Sequence, residues 1–217
     1  MLDAQPDVPM GHVSPTRDAL VRRSFRLNIL TLAYNSLEGA IALIAGALAG
    51  SIALTGFGLD SLIEVGASLT ALWRLRSDVD PARRERAERV SLRVIGALFI
   101  ALATYVAIDA ARALLRREAP SESILGIAIA VLSVMVMPLL ARAKRQVALR
   151  LGSGALAAES EQTALCAYLS AILLAGLTLN ALVGWWWADP IAGLAMVPII
   201  AREGIEGVRG RSACDEC

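Results

Sequence analysis

Apolar residues gather along the chain into six nearly unbroken stretches, and the polar residues collect between them. The stretches run over about residues 27–49, 52–73, 94–115, 122–141, 164–184 and 187–202. Each approaches the twenty or so apolar residues that a helix needs to cross a bilayer. A backbone in lipid must satisfy its own hydrogen bonds, so runs of this length and number predict helices rather than irregular chain. The joints are of two kinds. "GALAGS" and "GWWWADP" leave no room for a domain, whereas "RLRSDVDPARRERAERVSLR" and "RAKRQVALRLGSGALAAESE" are longer and basic. The pattern therefore predicts an all-α polytopic membrane protein, one bundle of six transmembrane helices. Residues 1–26, polar and carrying Pro6, Pro9 and Pro15, are expected to form a flexible tail before a transmembrane domain over 27–206. Residues 207–217 then form a short second tail.

Charge placement orients the bundle. Of the 21 basic residues, 18 fall in the two tails and the two long joints, and only Arg112, Arg116 and Arg117 fall on the opposite side. Basic residues mark the cytoplasmic face, so both termini are expected there. Lys144 is counted in the long joint between the fourth and fifth stretches. Trp185, Trp186 and Trp187 suit an aromatic belt at the outer interface. Asp189 followed by Pro190 resembles a capping residue with proline in the first turn of the sixth helix.

Composition agrees with this picture. The chain is 56% hydrophobic and 19% charged, with a mean hydropathy of +0.59. A soluble domain carries about 25% charged residues. Acidic residues nearly equal basic ones, which excludes a nucleic-acid partner on grounds of charge. Three cysteines are too few for a disulfide scaffold. The single histidine, His12, sits in the polar tail and reads as incidental. An Arg- and Ala-rich integral membrane protein of this kind suits a bacterial inner membrane.

The second stretch, "LTGFGLDSLIEVGASLTALW", contains Asp60 and Glu64, four residues apart and so on one helical face. Each acid near mid-membrane costs roughly 2.5–3.5 kcal/mol, and the apolar residues of the stretch return only about 3–5 in all. The helix becomes tolerable when its acidic face turns into a bundle, toward water, a cation or a partner. Further polar groups recur: Asn35 and Glu38 in the first stretch, Asp109 in the third, and Glu159, Gln162, Cys166 and Asn180 in the fifth. Glu159, Gln162 and Cys166 share one helical face. With no lysine or arginine assigned to mid-depth, the buried acids must be protonated, hydrated or metal-bound. Two carboxylates facing a thiol and an amide oxygen could make a four-ligand pocket for zinc or a similar ion. The alternative is that protonated Asp60 and Glu64 hydrogen-bond to neighbouring helices. The spans contain no histidine and no nucleophile with an evident base, so no enzymatic site is expected.

The residues "AGSIALTGFGLDSLIEVGASLTAL" resemble the second span of the cation diffusion facilitators, a family of zinc and divalent-metal exporters. "ESEQTALCAYLSAILLAGL" and "WWWADPIAGL" resemble that family's fifth span and the opening of its sixth. The likeness covers roughly residues 20–206, all six spans. It implies metal ligands at Asp60 and Glu64, and at Gln162 and Cys166 where the family presents His-x-x-x-Asp. Ser170 anchors that register. Glutamine thus replaces histidine, glutamate one aspartate and cysteine the other. Glu159 could serve at the cytoplasmic mouth, and Glu38 is a further candidate ligand. About fifteen residues follow the sixth span, which resembles the family's short, transmembrane-only branch and implies a homodimer joined through its helices.

The resemblance implies alternating-access transport of a divalent cation, Zn²⁺ first, with protons as counter-ion, lipid as surroundings and no resident cofactor. The other reading is a non-transporting scaffold, subunit or metal sensor built on the same bundle. The terminal "CDEC" places Cys214 and Cys217 at zinc-like spacing, but one chain offers only two thiolates where structural zinc wants four ligands. It is either a metal-capturing tail completed by a second chain or a polar end.

Overall fold

A computed structural model describes residues 17–76, 81–152 and 154–209. They form six helices: α1 Arg17–Ala49, α2 Ile52–Arg76, α3 Pro81–Arg116, α4 Ile124–Leu151, α5 Gly154–Val183 and α6 Ala188–Val208. There is no strand among the described residues. Five helices, α1 to α5, are long and apolar enough to cross a membrane. The sixth has 21 residues, about 31 Å at 1.5 Å per residue. Its charges lie toward its ends, with Asp189 at the start and Arg202, Glu203 and Glu206 near the finish. The protein is an integral membrane protein.

The helices outrun the apolar stretches. α1 begins at Arg17, α3 at Pro81, and α4 continues through "RAKRQVALRL" to Leu151. Arginine, alanine, glutamine and leucine are good helix formers, so the helices persist into the basic segments. Pro81 opens α3 in the first turn, where a helix needs no N–H donor. The long joint expected between the fourth and fifth spans shrinks to Gly152 and residue 153. Gly152 adopts φ 60° and its N–H bonds the Ala148 carbonyl, closing α4 with a left-handed cap.

Packing divides the bundle into closely apposed pairs: α1 with α2, α4 with α5, and α3 with α6. α1 also packs on α4, and α2 touches α3, α5 and α6, so α2 lies at the centre. Small residues permit the closest approaches. A Cβ on Gly96 of α3 would stand 2.5 Å from the Val208 nitrogen and 2.7 Å from the Gly204 oxygen. The α3 and α6 backbones therefore touch at their arginine-rich ends. Phe57, Leu54, Val106, Met137, Leu173 and Met196 fill the core between the pairs. Away from α6, Leu62 and Ile63 of α2 face Leu98 and Tyr105 of α3 across an apolar cleft of about 650 Å³.

The ends opposite the arginine-rich segments are tied by polar contacts. Ser121 N–H donates to the Ala49 carbonyl at 2.8 Å, and Asn180 Nδ2 donates to the Pro120 carbonyl at 3.2 Å. Trp185 and Trp187 stack with centroids 4.7 Å apart. Asp189 corrects an expectation. The residue preceding α6 is Trp187, which makes no side-chain cap bond. Asp189 lies inside the first turn and instead caps α2: Ser51 Oγ donates to its Oδ1 at 2.5 Å, and the Ile52 N–H to its Oδ2 at 2.9 Å. Pro190 occupies the first turn of its own helix, where the missing N–H costs nothing. The carboxylate neutralises the positive end of α2, the next helix over.

Candidate metal centre

α2 is the element that builds the centre. Its i, i+4 spacing stacks Asp60 and Glu64 on the face turned inward, and they are only 3% and 4% exposed. α5 presents Cys166, wholly buried, to that face. One ligand-type atom from each of Asp60, Glu64 and Cys166 lies within 4.8 Å of the others. Around a tetrahedral zinc such atoms stand roughly 3.4–3.8 Å apart, so a modest contraction of side chains converts the cluster into a coordination set. No lysine or arginine among the described residues pairs with either acid.

Gln162, one turn before Cys166, lines a small cavity together with Asp60 and Glu64. The volume is about 10 Å³, room for roughly a single water or ion. The second-span pair and the fifth-span pair, inferred from separate parts of the chain, thus come together at one place.

α1 supplies the surroundings. Asn35 Nδ2 donates to Glu64 Oε2 at 2.5 Å and fixes that carboxylate's orientation. Glu38, fully buried, accepts from Ser61 Oγ at 3.3 Å and lies 4.0 Å from Cys166 Sγ through the same Oε2. Its other oxygen is buried without a hydrogen-bond partner among the described residues, as is Asn35 Oδ1. Buried acceptors left in this way are expensive unless a cation or proton meets them. Glu38 therefore adjoins both Ser61 of α2 and Cys166 of α5, although it does not line the small cavity shared by Asp60 and Glu64. Ser170 Oγ donates to the Cys166 carbonyl at 2.6 Å, a contact within α5.

Two residues sit differently from expectation. Lys144, expected in a cytoplasmic joint, is wholly buried within α4. Its Nζ lies 3.3 Å from Glu159 Oε1 and 3.2 Å from Thr163 Oγ1. Glu159, considered for the mouth of the ion site, is thereby engaged by an ammonium group. The reason is mutual: a buried lysine and a nearby carboxylate each tolerate burial only through the other. Asp109 is half-buried on α3 and joins no ligand group among the described residues. Cys214 and Cys217 lie outside the described residues. Sequence reasoning missed Glu203, which lines the same cavity as Asp60, Glu64 and Gln162 from α6. Its position near a helix end resembled an ordinary interfacial charge.

Comparison with known proteins agrees with this arrangement. An uncharacterized transporter of Synechocystis sp. is 27% identical over 158 residues, which are 70% of this chain and 51% of that protein. The chain spans about half the length of that curated relative. Residues 29–209, nearly the whole helical bundle, match the cation efflux transmembrane domain. With that match running from α1 through α6 and across the Asp60, Glu64 and Cys166 cluster, the chain belongs to the cation efflux family.

Proposed function

We propose that the protein carries divalent metal ions across the membrane, zinc first among them, by exposing the α2–α5 site to each side in turn. The observation that carries this reading is the buried convergence of two carboxylates and a thiol, with no ion pair to any of them among the described residues and only the Lys144 ammonium, itself held by Glu159, acting on Glu64 from farther off. Such a cluster is costly without a cation and well matched to one. Asp60 and Glu64 supply hard oxygen ligands, Cys166 a soft sulfur, and Gln162 a weaker amide oxygen. Glu38 stands next to the thiol as a further carboxylate. Carboxylates and thiols bind a metal in their deprotonated forms, so loading releases protons and unloading takes them up. This linkage is the chemical basis for exchanging metal against protons. In this reading the protein works in a bacterial inner membrane as a homodimer joined through its helices.

Purified protein in proteoliposomes with a zinc-sensitive dye inside provides the test. Saturable zinc accumulation above that of empty vesicles supports carriage. Stoichiometric binding without accumulation would instead make the protein a sensor or a subunit. Metal choice depends on the thiol, because soft ligands favour soft ions. Cys166→Ser is expected to weaken cadmium binding by about a hundredfold and zinc binding by only about tenfold. Calorimetric titration with each ion checks it, and equal losses would remove Cys166 from the ligand set.

A further inference from the structure

The two acids of α2 are not approached evenly from the arginine-rich end. On the α4 side the path is occupied by Lys144, the one lysine in the chain and wholly buried. Its ammonium group, anchored on Glu159 and Thr163, repels any cation advancing between α4 and α5.

On the α6 side the charge is reversed. Glu203 borders the same small cavity as Asp60, Glu64 and Gln162, with Phe99 and Leu169 as apolar walls. Asp60, though only 3% exposed, makes no hydrogen bond or ion pair among the described residues, so its carboxylate is unpartnered where it meets that cavity. Glu203 also makes none among them. The adjacent guanidinium of Arg202 bonds Glu206 instead, Nε to Oε1 at 2.8 Å. Behind Glu203, α6 is pressed on the α3 backbone, where a Cβ on Gly204 would stand 2.9 Å from the Ile100 nitrogen.

We propose that the cation reaches Asp60 and Glu64 from the cytoplasmic end between α2, α5 and α6, and that Glu203 is the carboxylate that first receives it. This rests on the transport reading and adds a route and a positioning residue to it. A hydrated divalent ion meets Glu203 at the rim and exchanges part of its water for carboxylate oxygen. It then passes to Asp60, which borders the same space. Gln162 lines the passage without a charge that would hold the ion there. Cleft charge of one sign raises local counter-ion concentration and speeds capture, so Glu203 governs KM more than maximal rate.

The test has two arms, both on the full chain. In zinc uptake by proteoliposomes, Glu203→Gln is expected to raise KM about tenfold with maximal rate kept within about twofold. Glu118→Gln, an exposed carboxylate paired with Arg116 at the opposite end of the bundle, leaves both constants unchanged. A normal KM in Glu203→Gln, or a fall in maximal rate alone, overturns the route. The second arm needs no transport. With Cys214 and Cys217 replaced by serine, Cys166 is modified from the cytoplasmic side by a cationic and by a neutral methanethiosulfonate. Glu203→Lys is expected to lower the ratio of cationic to neutral rates about tenfold. An unchanged ratio, or no reaction of Cys166 with either reagent, overturns the proposal. Absence of zinc uptake by the unaltered protein would sink the transport reading, and the thiol ratio would still decide the route.

Discussion

Asp60→Ala combined with Glu64→Ala is expected to abolish saturable zinc uptake while leaving the protein at least as stable. The two effects have opposite signs for one reason. Each carboxylate near mid-membrane costs roughly 2.5–3.5 kcal/mol on insertion scales, and removing both makes α2 an ordinary apolar span. The packing around them survives, because Phe57, Leu54 and the glycine contacts of α2 are untouched. One loss accompanies the change, since the Asn35 amide no longer has Glu64 as acceptor. That costs about 1–2 kcal/mol, less than the relief. Binding, by contrast, loses its two charged ligands, and uptake should drop by at least about a hundredfold. Flux into proteoliposomes and thermal unfolding in detergent, measured on the same preparations, check both halves. Equal saturable uptake in the double variant and the unaltered protein would remove Asp60 and Glu64 from the site.

The second large effect concerns Asp189, where the sign of the stability change reverses. Asp189→Ala is expected to destabilise the protein by about 3 kcal/mol. The carboxylate is fully buried and accepts from the Ser51 hydroxyl and the Ile52 N–H. An alanine leaves these donors at the start of α2 buried and unpaired, and takes a favourable negative charge from a helix N-terminus. For a chain of this length the loss corresponds to a fall in Tm of roughly 6–12 °C. Asp189→Asn keeps one acceptor oxygen and should lose about half as much. Differential scanning fluorimetry of the three proteins is the measurement. An unchanged Tm in the alanine variant would mean that the bond across α6 and α2 contributes nothing.

The sequence was most informative where chemistry and periodicity coincide. Apolar runs of bilayer length announced the helices, and the four-residue spacing of Asp60 and Glu64 announced an inward acidic face. The same rule on α5 grouped Glu159, Gln162 and Cys166, and it took the family resemblance to single out the last two. Local patterns gave less where the partner is remote. Asp189 beside Pro190 has every mark of a cap for its own helix, yet its hydrogen bonds go to residues more than 130 positions earlier. Lys144 lies in "RAKRQ", a stretch that reads as a solvated joint. Only the arrival of Glu159 from the following helix makes its burial tolerable. Glu203 was invisible for a similar reason: a carboxylate in the last turns of a span is usually interfacial, and nothing local says that the cavity of another helix reaches it.

The bond from Asp189 to α2 joins the two helices at one end, while Glu203 stands thirteen residues along α6 from Pro190. That arrangement makes α6 a lever with its fulcrum on one side of the membrane and its working end on the other. A helix of 21 residues is about 31 Å long. A tilt of about 10° around the Asp189 clamp would sweep its Glu203 end through about 5 Å, roughly one helical pitch. Because Gly96 binds α3 against Gly204 and Val208 at that same end, the two helices would swing as one arm. A small rotation at the Asp189 clamp, remote from the acidic cluster, would thus be geared up into a wide displacement at Glu203, where the proposed route opens.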